Sequence, residues 1–314
     1  MAKKYVPISL KKIKTCNLGK RKSKFTLDRI AGVFRGGSFK SFLKCLPDTF
    51  ASRDLKEIVR AIVKARKSDR PVVLGMGAHP IKVGLTPIII NLMENKVINA
   101  LAMNGACIIH DFELGLTGHT SEDVDVELCK GTFGMVEETG RDINLAIKHG
   151  VSKGEGIGKA VGDHILKGKF PYKKNSILAA ASRLKIPSTV HVALGTDIVH
   201  MHPEVDGAAI GAGSMRDFRL FASVISDLRG GVYINLGSAV IMPEVFLKAI
   251  AVTRNLGYNV KNFTTVNMDF IQHYRCRENV LRRPVLSGGT SYAITGHHEI
   301  MFPLLAAAVM EEIK

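Results

Sequence analysis

Three short stretches of this 314-residue chain concentrate side chains that can move protons or hold charge. The first, Gly77-Ala78-His79-Pro80-Ile81-Lys82, sets a histidine beside a lysine. Lys82 could pair with a phosphate or a substrate carboxylate, or form an imine once desolvated. A solvated surface lysine is the plainer reading. The second stretch holds Asn104, Gly105, His110, Asp111 and Glu113. A histidine beside carboxylates suits proton transfer, because small shifts place its pKa near neutrality. Acidic residues favoured by a helix dipole would look the same. The third stretch runs from Asp197 through His200 and His202 to Glu204 and Asp206. Its His-x-His pair has donors that could ligate zinc or iron, or recognise a substrate with no metal.

The elements that must position these groups are legible from apolar periodicity. An apolar run at 71–74 ends at the first stretch, and one at 97–103 ends at the second. Residues 85–96 between them read as a helix, with Pro87 tolerable in its first turn. Strand, glycine turn, helix and strand make a βαβ crossover, and ligands bind where such strands end. Upstream, residues 54–67 form an amphipathic helix with Leu55, Ile58, Val59 and Ile62 on one stripe. Residues 112–139 read as polar and loop-rich. Helices are expected at 137–149, 157–166, 176–184, 215–228, 243–255 and 302–313, and strands at 187–194, 231–236 and 262–267. Ser287-Gly288-Gly289-Thr290, with His297, His298 and Glu299 beyond it, reads as a polar glycine loop. Gly154-x-Gly156-x-Gly158 looks like a dinucleotide loop but follows no strand, so a surface loop is expected there. The alternation predicts an α/β fold, a mostly parallel Rossmann-like sheet with helices on both faces.

Composition bounds the function. A hydrophobic content of 46% with 30 glycines fits a compact enzyme-like fold. The five cysteines are scattered and read as reduced thiols. No apolar run reaches the roughly 18 residues of a membrane span, and no secretory signal is visible, so a cytoplasmic protein is expected. The net charge of +16 is local, since residues 1–70 carry 20 Lys+Arg against 5 Asp+Glu. The expected division is a basic N-terminal arm over 1–50, with disorder at 11–24, and a single Rossmann-like domain over 51–314. The arm lacks an RNA-binding signature, so nucleic acid is not the expected partner. It is read as packing on a neighbouring subunit or attracting an anionic substrate.

Three segments together resemble the deoxyhypusine synthase family. Residues 72–113 carry a strand, small and polar residues, Gly84-Leu85, a helix, and a strand leading to a glycine and an acidic cluster. Residues 185–197 (KIPSTVHVALGTD) are similar to a family segment in which IPV, a short strand and PALTDG follow one another. The third segment runs from Arg219 to the end, with Leu236-Gly237-Ser238, Arg283-Pro284 and Phe302-Pro303-Leu304-Leu305. The resemblance covers about residues 55–310 and implies a Rossmann-like core binding NAD between subunits, usually in a homotetramer. Carried over, the cofactor would meet Gly77, Ala78, Asn104, Gly105, Asp197, Gly237 and Ser238. The family dehydrogenates spermidine and transfers an aminobutyl group through an imine on a lysine three residues beyond a glycine triplet. Here the triplet is Gly237-Ser238-Ala239 and the lysine position is Met242, whose thioether cannot form an imine.

The expectation is therefore an NAD-dependent oxidoreductase or transferase, not itself a deoxyhypusine synthase. It would act on a small amine or amino acid with His79, Lys82, His110, Asp111 and Glu113. Two other readings remain open from sequence. One is a metal-dependent hydrolase or lyase built on His200 and His202. The other is a non-catalytic module whose basic arm binds RNA or an acidic partner.

Overall fold

The computed structural model describes residues 3–313. Six strands, β1 (Val72–Met76), β2 (Ala100–Asn104), β3 (Ser188–His191), β4 (Val232–Leu236), β5 (Phe263–Asp269) and β6 (Gly289–Thr295), form one sheet. Every pairing is parallel, and the order is β3-β2-β1-β4-β5-β6. The order reverses between β1 and β4, so the crevice for a ligand lies at their carboxyl ends.

Thirteen α-helical segments surround the sheet among the described residues, with a few short 3-10 and π turns between them. Those before β3 are α1 (Phe39–Cys45), α2 (Phe50–Lys67), α3 (His79–Lys82), α4 (Thr86–Glu94), α5 (Gly105–Thr117), α6 (Val124–Lys130), α7 (Glu137–Ser152), α8 (Ile157–Lys167) and α9 (Ile177–Leu184). Those after it are α10 (Gly207–Ser226), α11 (Ile241–Asn255), α12 (Tyr274–Cys276) and α13 (His298–Ile313).

Alternation along the strands splits the core in two. Val72, Leu74 and Met76 of β1 pack with Ile58 and Ile62 of α2, Ile89 of α4, Phe112 of α5 and Phe302 of α13. Val73 faces the other way, joining Tyr233 to Phe221 of α10 and Phe246 of α11. Burying each large apolar side chain contributes about 1.5–3 kcal/mol, and the two layers explain why β1 is apolar at every position but Gly75.

Two expectations fail here. Residues 112–139 are not mainly loop, since α5 runs on through Thr117 and α6 occupies Val124–Lys130. The glycine segment near the end is a strand, β6, pairing with β5 at the sheet edge. Its half-exposed residues hide the apolar signal that an interior strand shows. The basic arm divides by contact. Residues 3–29 are largely exposed, whereas α1 lies against α13, where Lys40 pairs with Glu312 at 3.5 Å.

Candidate functional site

The ends of β1 and β4 meet at the crevice. The amide of Gly77 donates to the Leu236 carbonyl at 3.1 Å, and that of Gly237 donates to the Met268 carbonyl at 3.1 Å. A Cβ on Gly77 would fall 2.4 Å from the Gly237 carbonyl oxygen, so only glycine lets these strand ends close. Gly237 has φ +64, which a side chain would strain. Ser238 is buried, and its hydroxyl accepts from the Met242 amide in the first turn of α11 at 3.2 Å. Ala78 is half-buried at the start of α3.

His79, expected beside Lys82, belongs to a different cluster. Its ring centroid lies 5.3 Å from that of His298 and 6.0 Å from that of Phe270. His298 is buried against Gly237, with Nε2 3.2 Å from the Met268 carbonyl and 3.8 Å from the Asp269 carboxylate. Burial lowers its pKa. Its local sequence pattern is that of a loop, because only the parallel pairing of β6 brings the start of α13 to the crevice.

Beside the crevice, over β2 and β3, a cavity of about 910 Å³ gathers Lys82, His110, Glu113 and Asp197. Thr120, Glu122, Glu138 and Thr139 join its lining. Helix α5 starts directly from β2, so its first amides stand at the strand edge; Asn104 is the N-cap and accepts from the Cys107 thiol at 3.1 Å. Asp197 arrives from the segment after β3, and a Cβ on Gly105 would fall 1.9 Å from its Oδ2. Burial raises the Asp197 pKa, with His200 opposing.

His110 and Glu113 are one turn apart on α5 and share a partner. Thr120 donates its hydroxyl to Glu113 Oε2, and lies 2.7 Å from His110 Nδ1. Thr139 donates to Glu113 Oε1 at 3.0 Å. The Thr120 hydroxyl has one hydrogen, which the charged carboxylate takes. His110 Nδ1 must then be the donor to Thr120, and Nε2 keeps the lone pair. Desolvation, with Lys82 nearby, lowers the His110 pKa to about 4, so the ring is neutral at physiological pH.

Asp111 does not join this site. It is fully buried on another side of α5, where its carboxylate accepts from the Ile177 and Leu178 amides at 2.7 and 3.0 Å and from Ser176 Oγ at 2.6 Å. It caps α9. Asp217 repeats the device, accepting from the Gly158 and Val190 amides, each at 2.9 Å.

The two histidines of the metal reading are separately engaged. His200 Nδ1 accepts from the Gly195 and Asp197 amides at 3.1 and 3.3 Å. His202 is buried over Gly140, and its Nε2 donates to the Gly134 carbonyl at 2.8 Å. Among the described residues no group of three or more His, Cys, Asp or Glu is arranged to hold a metal ion. Nor is any helix among them long and apolar enough to cross a membrane. Met242, at the family's lysine position, is fully buried with Phe246 and Tyr233.

No family model matches the chain, and no curated protein matches it. Solved structures do share its fold. It is similar to a conserved protein assigned as LOR/SDH from Methanococcus maripaludis S2, at TM-score 0.52 and 18% identity over 82% of this chain and 69% of that one. AgrE in ternary complex with ornithine and NAD+ matches at TM-score 0.54 and 17% identity, over 86% of this chain. The match spans 35% of the AgrE chain, about a third of its length. A protein assigned as deoxyhypusine synthase from Entamoeba histolytica matches at TM-score 0.51 and 14% identity, over 89% of this chain and 96% of that one. At these identities the likeness shows the fold, which is deoxyhypusine-synthase-like.

The residues present fit a dinucleotide at this edge. Glycines end β1 and β4 and open α5, so three adjacent strand ends pack closely on the Gly237 carbonyl, His298 and Asp197 with no side chain of their own in the way. The half-buried Asp197 carboxylate is an acceptor suited to ribose hydroxyls.

Proposed function

We propose that this chain is an NAD-dependent enzyme of the deoxyhypusine-synthase-like type that acts on a small amine or amino acid and does not catalyse deoxyhypusine synthesis. The observation that carries the reading is the cavity holding Lys82, His110, Glu113 and Asp197 beside the β1–β4 switch point. NAD bound there would supply hydride acceptance. Gly77, Ala78, Asn104, Gly105, Asp197, Gly237 and Ser238 are the residues that would hold it. His110, neutral with its lone pair on Nε2, is the base for an ammonium or carbon-bound proton. Lys82 is the anchor for a substrate carboxylate, and Glu113 orients His110.

Loss of the imine lysine separates this chain from the synthases, because Met242 lies in an apolar core. The bound ornithine and NAD+ of AgrE support an amino-acid substrate on this fold. The family resemblance supports a homo-oligomer, which light scattering of the purified protein measures. Calorimetric titration with NAD, then with a panel of diamines and amino acids, tests the reading. Saturable binding of NAD and of one panel member is expected. A second reading through His200 and His202 gains no support, since each ring is already engaged by backbone.

A further inference from the structure

The loop between α5 and α6 contributes more than a wall to the cavity. Thr120, which it carries, stands between two α5 side chains, with His110 Nδ1 at 2.7 Å and Glu113 Oε2 taking its hydrogen. The direct His110 to Glu113 separation is 4.0 Å, too long for a hydrogen bond, so among the described residues the Thr120 hydroxyl links imidazole to carboxylate. Thr139 of α7 holds the other Glu113 oxygen at 3.0 Å, which fixes the carboxylate from a second element.

We infer that Thr120 is a positioning residue that relays the Glu113 carboxylate to His110, locks the ring as the Nδ1–H tautomer, and so makes Nε2 the base of the site. The inference rests on the functional reading above for the role of base; the Nδ1–H donation to Thr120 follows from the geometry. When Nε2 takes a proton from the substrate, the ring becomes an imidazolium whose charge faces Glu113 through one hydroxyl. No proton need leave Thr120, because its hydrogen already sits toward the carboxylate. The other charged or titratable groups lining the cavity are Lys82 on α3, His119 and Glu122 on the loop, Glu138 on α7, and Asp197 after β3. Lys82 opposes protonation of His110, whereas the carboxylates favour it.

Histidine-labelled protein read by nitrogen NMR reports the tautomer directly, with no ligand needed. Wild type is expected to show His110 as a single neutral species protonated at Nδ1. Thr120→Val should convert it to a mixture of both tautomers, and Thr120→Ser should restore the wild-type pattern. In turnover, Thr120→Val should lower kcat by tenfold or more and leave the affinity for NAD within about twofold. An Nε2–H signal in wild type, or an unchanged His110 signal in a Thr120→Val protein that unfolds at the wild-type temperature, overturns the relay. Calorimetry with NAD tests the functional reading separately, so protein that binds no NAD but keeps the Nδ1–H tautomer contradicts that reading and supports this one.

Discussion

A side-chain carbon on Gly105 would lie 1.9 Å from the Asp197 carboxylate, so the start of α5 and the segment after β3 are in direct contact at the strand edge. This contact joins the β2 end of the crevice to the floor of the cavity. Gly105→Ala should therefore displace Asp197, cost about 1–3 kcal/mol of stability through overpacking, and weaken NAD binding by tenfold or more. Adding Asp197→Ala should return the lost stability without returning the affinity. Thermal unfolding and calorimetry on the two variants separate these effects.

His110 should behave as a base with an unusually low pKa. His110→Asn is expected to lower kcat by roughly 10²–10⁴-fold, the usual range for losing a general base, with the fold intact. The wild-type rate should hold as the pH falls through 6.5 and decline only toward about 4, where burial and Lys82 have placed the ring's titration. A kcat–pH profile measured with NAD and the substrate found by titration checks this.

Asp111 is a structural residue on this account. Asp111→Ala removes three hydrogen bonds at a buried helix start. It should destabilise the chain by about 2–4 kcal/mol, judged from the cost of lost caps and unpaired buried donors. The affinity of the remaining folded protein for NAD should be unchanged, which denaturant melts and calorimetry together establish.

Asp217 gives the stability a distinct pH dependence. Burial holds its folded-state pKa at about 7, against an ordinary 3.8. Between those values the folded chain keeps a proton that the unfolded chain has released. Its contribution is thus fully present below about pH 4 and lost as the pH rises through about 7. Histidines lowered by burial, such as His191 with a pKa of about 3, act oppositely and lose stability as the pH falls below 6.5. The comparison of wild type with Asp217→Asn isolates the carboxyl, and the wild type should lose more stability between pH 5 and 8.

Met242→Lys should not create a synthase. The side chain would enter the apolar layer under α11 as an unpaired charge, costing several kcal/mol. Borohydride reduction after incubation with NAD and an amine substrate, so that the amine can first be dehydrogenated, should trap no adduct at position 242.

Much of the architecture was legible because interior parallel strands are apolar and short. The runs at 71–74, 97–103 and 231–236 overlap β1, β2 and β4, and the stripe of Leu55, Ile58, Val59 and Ile62 is the buried face of α2. An edge strand carries less apolar signal, which is why β6 read as a loop. For the site, the strand-end rule pointed to His110, Glu113, Lys82 and Asp197, and one cavity gathers them. Asp111 and His79 lie outside that cavity, against α9 and beside His298, because neighbours in sequence on a helix or turn point to different sides. Thr120 and Thr139 were invisible, since nothing in their local pattern tells that they converge on one carboxylate.

NAD titration of the wild-type chain beside Gly77→Val probes a cofactor site at the β1–β4 switch point with no substrate needed. Saturable binding is expected for the wild type, with a loss of at least tenfold in the variant, whose side chain must force the strand ends apart. Wild-type protein that is folded, pure and shows no heat of binding with NAD would contradict such a site.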